Sequence, residues 1–304
     1  MPYLTIARAR FQLVGPASVN THAFPAFFLP FLLQDGSDAD VQDVQCIVRC
    51  QGADESMAAR TREPDVPWSF RVRDQTCEVI RRDQVGEALW RMVAPLTFAH
   101  ADISWHPRRF SENYGNYETG GWRFAFGMTL LVFCLRAHGG LVLHGAAADL
   151  DGQGILCAGI SGAGKSTIAR LLDAAGATVL TDERPALRQW PPPTGETSAT
   201  SPVAFRVYGT PWPSSAGLAR NACAPLRRIY FLEHGTVDRL TPLTPREAFN
   251  RLVHVTTIPW QDAALFDPCL KTLETLLRSV PCAALAFRPT PEVVDLIRND
   301  LSLH

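Results

Sequence analysis

The sequence predicts an α/β chain of two domains: a β-rich domain over residues 1–115, then a domain built on a mixed sheet over residues 116–304. Three observations predict it. Short alternating apolar and polar patterns fill the first 110 residues, the mark of half-buried strands. From about residue 138, short apolar runs alternate with helical stretches, as in helices packed on a sheet. Between one such run and one such helix lies Gly159-Ile160-Ser161-Gly162-Ala163-Gly164-Lys165-Ser166, a glycine-rich turn of fixed spacing.

Taken in order, the strand candidates of the first half are residues 3–13, 44–48, 68–72 and 77–80, with Arg73-Asp74-Gln75-Thr76 joining the last two as a hairpin. Trp105-His106 with Arg108 and Arg109 reads as a surface loop, an anion contact being the sharper alternative. Residues 119–137 read as one long apolar helix closed by Gly139-Gly140. Strands are expected at 141–148, 155–158, 177–181, 203–208, 228–232 and 283–287. Helices are expected at 167–175, 245–256, 262–280 and 291–301. Pro245 and Pro291 sit where first-turn prolines belong. The Pro-, Thr- and Ser-rich stretch 191–202 has the composition of a mobile loop or lid.

The glycine-rich turn matches the pattern G-x-x-x-x-G-K-[ST] at every fixed position. Its chemistry explains its spacing. Gly159, Gly162 and Gly164 let the loop wrap tightly, so that the N–H groups of Ser161 to Thr167 point at phosphate oxygens. The following helix adds its positive end. Lys165 reaches the outer phosphates as a compact point charge, and Ser166 offers a hydroxyl to Mg²⁺. Of 29 basic side chains only two, Lys165 and Lys271, are lysine, so a chance match is rare. Ile168, Leu171, Leu172 and Ala175 then recur on one helical face, and Gly176 stands at the expected end. The expectation is a nucleoside triphosphate, ATP, with Mg²⁺.

The run 177–181 should return parallel to the strand before the loop, closing a βαβ unit. Asp182-Glu183 at its carboxyl end should then face the phosphates. One carboxylate can hold Mg²⁺ through water, and the other can take a proton from an attacking hydroxyl. His144 is placed by counting. If Asp151-Gly152 forms a two-residue hairpin turn, paired positions sum to 303 and His144 lies opposite Gly159. A slip of one residue would point it away.

The formal net charge of −1 excludes a broad basic face for nucleic acid, and the lysine scarcity excludes the basic patches that hold proteins on anionic membranes. The longest apolar run, 124–135, is too short to span a bilayer, and no secretory leader pattern opens the chain, so a cytoplasmic location is expected. Eight scattered cysteines read as reduced thiols packed as small hydrophobes, the close pair Cys46 and Cys50 included.

His144-Gly145, the loop with its lysine twenty-one residues after the histidine, and the acidic pair together resemble the catalytic domain of the HPr kinase/phosphorylase family. Shorter relatives of that family in bacterial biosynthetic clusters are more similar still. The resemblance covers about residues 138–301 and extends to Tyr208-Gly209-Thr210-Pro211-Trp212 and to 221–226. It implies a fold related to the nucleotide-binding part of phosphoenolpyruvate carboxykinase, and a homo-oligomer. Carried over by position, Lys165 binds the β- and γ-phosphates, Ser166 and Asp182 serve the metal, Glu183 stands where the family has its base, and His144 is the active-site histidine. The chain departs in having Asp-Glu for Asp-Asp and in lacking the Glu-Ile-Arg-Gly signature. A later catalytic arginine does not align, Arg206, Arg220 and Arg227 being the candidates. The resemblance implies an ATP-dependent kinase acting on a serine or threonine hydroxyl of a protein or peptide, such as a ribosomally made lasso-peptide precursor. A metabolite kinase and a nucleotide-switched module with slow hydrolysis are the alternatives.

Overall fold

The computed structural model describes residues 3–15, 24–33, 44–52, 66–114, 126–190 and 204–303. The expected lid at 191–202 and the first part of the expected helix at 119–137 lie outside the described residues. Two mixed α/β units emerge, one of Met1–Ala137 with Pro259–Phe266, the other of His138–Ile258 with Asp267–His304.

The first unit is built on eight strands: β1 (Tyr3–Ile6), β2 (Ala9–Val14), β3 (Leu32–Leu33), β4 (Val44–Gly52), β5 (Trp68–Arg73), β6 (Thr76–Arg82), β7 (Ala88–Pro95) and β8 (His100–Trp105). Their order is β3-β1-β2-β4-β8-β7-β6-β5, with β4 parallel to both neighbours and the other pairs antiparallel. Residues 3–13 are a hairpin, not a single strand, because Ala7 and Arg8 turn at φ 52° and 61°. The hairpin expected at 73–76 is present, with Asp74 and Gln75 both left-handed as a type I′ turn requires. Strands β7 and β8 had no expectation. In β7, Ala88, Leu89 and Trp90 are buried in succession, and alternation begins only after them. Helix α1 (Pro107–Tyr114) runs through residues read as a loop, and α2 (Gly127–Arg136) lays Phe133 against Phe70, ring centroids 5.9 Å apart. All eight cysteines are free thiols, and burial pushes that of Cys46 up to about 12.

The second unit carries β9 (Gly140–Val142), β10 (Gly145–Leu150), β11 (Gln153–Ala158), β12 (Thr178–Thr181), β13 (Ala186–Trp190), β14 (Ala204–Tyr208), β15 (Cys223–His234), β16 (Arg239–Pro242) and β17 (Cys282–Phe287). Helices α3 (Lys165–Ala174), α4 (Pro245–Val255), α5 (Ala263–Ser279) and α6 (Glu292–Ser302) accompany them. The first turn of α5 is grouped with the other unit. The sheet order is β12-β10-β11-β15-β14-β13-β9, with β17 beside β15 and β16 beside β17.

Two features depart from expectation. The run 141–148 is two strands, β9 pairing with β13 and β10 with β11 and β12, and the chain changes partners at His144. Strand β12 does run in the direction of β11, but it is not adjacent to it: β10 lies between, antiparallel to both. The Asp151-Gly152 hairpin occupies one edge of β11, and β15, parallel from Gly154↔Leu226 to Ala158↔Phe231, occupies the other. No edge of β11 is left for β12.

Helix α3 buries Ile168, Ala169 and Leu172 in a core shared with β10, β11, β15, β17 and α6. It ends as predicted. Gly176 at φ 87° donates to Asp173 O, and Ala177 donates to Leu172 O, the paired bonds of a Schellman motif. Helix α4 begins with a capping box between Thr244 and Glu247, and Pro245 stands in its first turn. Helix α6 is held to β15 through polar groups. Arg228 meets both carboxylate oxygens of Asp300 at 2.8 and 3.1 Å, and Tyr230 Oη donates to the same carboxylate at 2.8 Å. Burial, then the Asp300 contact, holds the Tyr230 phenol well above its usual range. Among the described residues no helix is long and apolar enough to cross a membrane.

Replacing Asp300 with Ala leaves the nearly buried Arg228 guanidinium without its counter-charge. A loss of about 3 kcal/mol in unfolding free energy is expected, since removing one partner of a buried pair is strongly destabilising. Denaturant titration checks it.

Candidate functional site

The hairpin register governs the site. Pairs run from Gly145↔Ala158 to Leu150↔Gln153, all summing to 303, so the count that sets His144 opposite Gly159 holds. The Gly159 N–H lies 3.4 Å from His144 O. The turn that produces this register has Asp151 and Gly152 at φ 56° and 82°. Gly145 allows the close approach, because a Cβ there would sit 2.9 Å from Leu156 Cδ1 and 3.0 Å from Cys157 O.

Beyond β11 the glycine-rich loop turns sharply into α3. Gly162 and Gly164 have φ of 82° and 94°, values that side chains resist. A Cβ on Gly159 would meet Ala163 Cβ at 2.8 Å, and one on Gly164 would meet Phe287 Cζ at 2.9 Å. Ser161 and Gly162 are exposed, Ala163 is buried against Gly159, and Ser166 and Thr167 occupy the first turn of α3. Lys165 folds back over the loop, and its Nζ donates to Ile160 O at 2.7 Å. Burial, and secondarily the Arg184 guanidinium, lowers its pKa against the pull of Glu183.

At the carboxyl end of β12 the two acidic neighbours diverge. Asp182 is fully buried, and each of its oxygens accepts a main-chain N–H at 2.8 Å, Oδ1 from Ser214 and Oδ2 from Ala216. It anchors a loop whose Ser215 Oγ lies 3.1 Å from Ser166 Oγ. Glu183 turns the other way. Its Oε1 is 3.3 Å from His144 Nδ1 and 3.7 Å from Arg184 Nε. The carbonyl of Glu183 accepts the Gly145 N–H at 3.0 Å, so the hairpin and the acidic turn are bonded directly.

His144, Lys165 and Glu183 therefore converge at the mouth of the loop. Burial is the main reason the His144 imidazole titrates below its ordinary 6.5, with Lys165 and Arg184 lowering it further and Glu183 opposing them. The 3.3 Å contact between His144 Nδ1 and Glu183 Oε1 sets the ring against the carboxylate and orients it. The three candidate arginines lie elsewhere. Arg220 is bonded to Val179 O and Asp173, Arg206 lies over the Trp190 ring, and Arg227 is four residues upstream of the β15 position beside Ala158. The guanidinium beside Glu183 belongs to Arg184, which no spacing had marked.

The segment 209–213 is interior. Gly209 fits where a Cβ would run into the carbonyl oxygens of Leu180 and Arg220, and Thr210 Oγ1 donates to Arg184 O at 2.7 Å. It braces the backbone of the acidic turn from behind. Sequence reading also missed the 214–216 loop, since Ser214-Ser215 follows no chemical pattern.

The donors fit a polyanion. The loop's open side at Gly162 has nothing within 4 Å of where a Cβ would stand, and a lysine is held ready at its rim. For a divalent cation the set is sparser. Among the described residues no group of three His, Cys, Asp or Glu side chains forms a cluster. The donors to hand are Ser166 Oγ and the remaining lone pairs of Asp182, a set that suits an ion completed by water and phosphate oxygens.

No family model matches the chain, and no curated protein matches it. Among solved structures it is similar to the HPr(Ser) kinase/phosphatase from Coxiella burnetii, with 11% sequence identity, 52% of this chain and 95% of that chain covered, and a TM-score of 0.27. Agreement at that level carries no weight for chemistry.

His144 is expected to titrate below 6.5 by NMR, and Lys165→Met is expected to move that midpoint upward because a lowering charge is removed. The folded state then binds fewer protons than the unfolded one between the two midpoints. Stability from this group is complete above 6.5 and is lost as pH falls through the folded-state value.

Proposed function

We propose that this chain is an ATP-dependent phosphotransferase that moves the γ-phosphoryl group to a serine or threonine hydroxyl of a protein or peptide. The observation that carries the reading is the convergence of Lys165, the His144–Glu183 contact and the glycine-rich loop at one point. A pure nucleotide switch has no need of a carboxylate oriented by a half-buried histidine beside the lysine.

In the proposed reaction the loop's N–H groups and the start of α3 bind the phosphates, and Lys165 leaves Ile160 O for the outer ones. The acceptor oxygen forms a bond to the γ-phosphorus as the bond from that phosphorus to the β–γ bridging oxygen breaks. ADP departs with that electron pair, and the hydroxyl proton passes to Glu183. His144 holds the carboxylate in place through Nδ1–H. Mg²⁺, when bound, offsets phosphate charge, and Ser166 Oγ together with Asp182 through water would hold it. Asp182 otherwise serves as the clamp on the 214–216 loop, which leaves the role of base to Glu183.

Lys165→Met should abolish phosphoryl transfer from labelled ATP while circular dichroism shows the fold retained. Glu183→Gln should lower turnover by about 10²–10⁴-fold with nucleotide affinity kept, the range expected for loss of a general base. Full turnover in Glu183→Gln would remove Glu183 from the mechanism, and transfer by Lys165→Met would remove the loop from it.

A further inference from the structure

A cleft of about 340 Å³ opens beside the loop, lined by Ala158, Gly159, Ile160, Phe231, Leu232 and the α4 face of Asn250, Arg251, His254 and Val255. We infer that this cleft receives the phosphate acceptor, as a peptide segment whose apolar side chain next to the reacting serine or threonine fills it. The assignment rests on the phosphotransfer reading and names the substrate class for the same site.

Three observations favour the acceptor over the nucleoside. The first is polarity along the loop. Lys165 Nζ, the group that reaches outer phosphates, is 2.7 Å from Ile160 O, and Ile160 is a wall of the cleft. A lysine that starts from Ile160 O has outer phosphates on the cleft side of the loop within its reach. The nucleoside is attached beyond the inner phosphates, which later loop N–H groups and α3 cradle, and it leaves in the other direction.

Continuity with the base is the second. The main-chain N–H of His144 donates to Val255 O at 2.6 Å, and His144 O faces the Gly159 N–H. Two cleft residues are thus hydrogen bonded to the residue whose ring holds Glu183. An occupant of the cleft therefore lies against backbone that is bonded to the residue contacting the proposed base.

The third is the chemistry of the lining. Ala158, Ile160, Phe231, Leu232 and Val255 supply apolar walls, and Ile160 is 68% exposed at the rim. Arg251 brings no free charge, because its guanidinium is 2.6 Å from Glu233 and lies over the Phe231 ring. An anion would find no unneutralised partner in this lining, whereas an aliphatic or aromatic side chain finds its complement. His254 Nδ1 donates to Asn250 O at 2.6 Å, which leaves Nε2 as the ring's other polar atom. With the Asn250 amide it can meet the N–H and C=O of a peptide.

The test uses the full chain, ATP, and three synthetic peptides with one serine flanked by leucine, glutamate or arginine. The wild-type protein should label the leucine peptide about ten-fold faster than either charged one, the scale of discrimination a hydrophobic pocket provides. Asn250→Trp and His254→Trp place bulky rings at exposed positions, where folding is not challenged. Each should raise KM for the leucine peptide about ten-fold or more and leave the ATP dissociation constant within about twofold. Variants that instead weaken ATP would assign the cleft to the nucleoside, and variants that keep the leucine preference would empty it of any role. Wild-type protein that binds ATP but labels no peptide overturns the peptide acceptor, whereas failure to bind ATP overturns the phosphotransfer reading beneath it.

Discussion

Everything at the site depends on one short piece of backbone pairing, the β10–β11 hairpin closed by Asp151 and Gly152. Two consecutive left-handed residues admit one tight turn, and that turn admits one register. The register sets His144 against Gly159 at the end where β11 becomes the glycine-rich loop. Because side chains alternate across a strand, a slip of one residue would carry the histidine to the other face and dissolve its contact with Glu183. Gly145 belongs to the same constraint, since any side chain there would collide with Leu156 and the Cys157 carbonyl. The loop and its histidine are thus fixed by a turn at the far end of two six-residue strands.

A second constraint comes from the other side. The turn at 182–184 is held by its own main chain, with Glu183 O on Gly145 and Arg184 O on Thr210, and by Asp182 gripping the N–H groups of Ser214 and Ala216. Asp182 itself is fully buried, so losing its partners would leave a carboxylate oxygen without water or donor. The consequence is stiffness in the backbone beneath Glu183, which leaves only its side chain to be oriented. His144 does that at 3.3 Å. Burial lowers the histidine's pKa, and Lys165 and Arg184 act in the same direction.

How much of this was legible follows from what kind of signal each part leaves. The loop, α3, its Gly176 terminus and the register of His144 rest on local rules, in which a few neighbouring residues dictate backbone shape, and all were readable. Strand β13 left no such mark, its first three residues being buried in succession, and β7 opens on three buried residues before its alternation begins. The insertion of β10 between β11 and β12 was hidden for a different reason. Hairpin signals show which strands are joined but not which neighbour a later strand will find, and a βαβ reading assumes that the edge is free. Arg184 was passed over because no spacing marks it, and the 214–216 loop was invisible because its contacts, to Asp182, are made by tertiary structure.

The acidic pair shows why position along a strand matters more than composition. Asp182 and Glu183 follow the last residue of β12 in a bend, and their side chains take different partners. Two carboxylates in that arrangement cannot both face His144, whatever their chemistry. The inward one, fully buried, finds main-chain donors and becomes part of the scaffold. The other, partly exposed, meets the histidine and the lysine's field. The lengths fit the division. The shorter aspartate sits where backbone N–H groups come to it, and the longer glutamate must reach across the hairpin to the His144 ring. An aspartate at 183 would end one methylene short of that ring, so the Asp-Glu order is what the contact with His144 requires here.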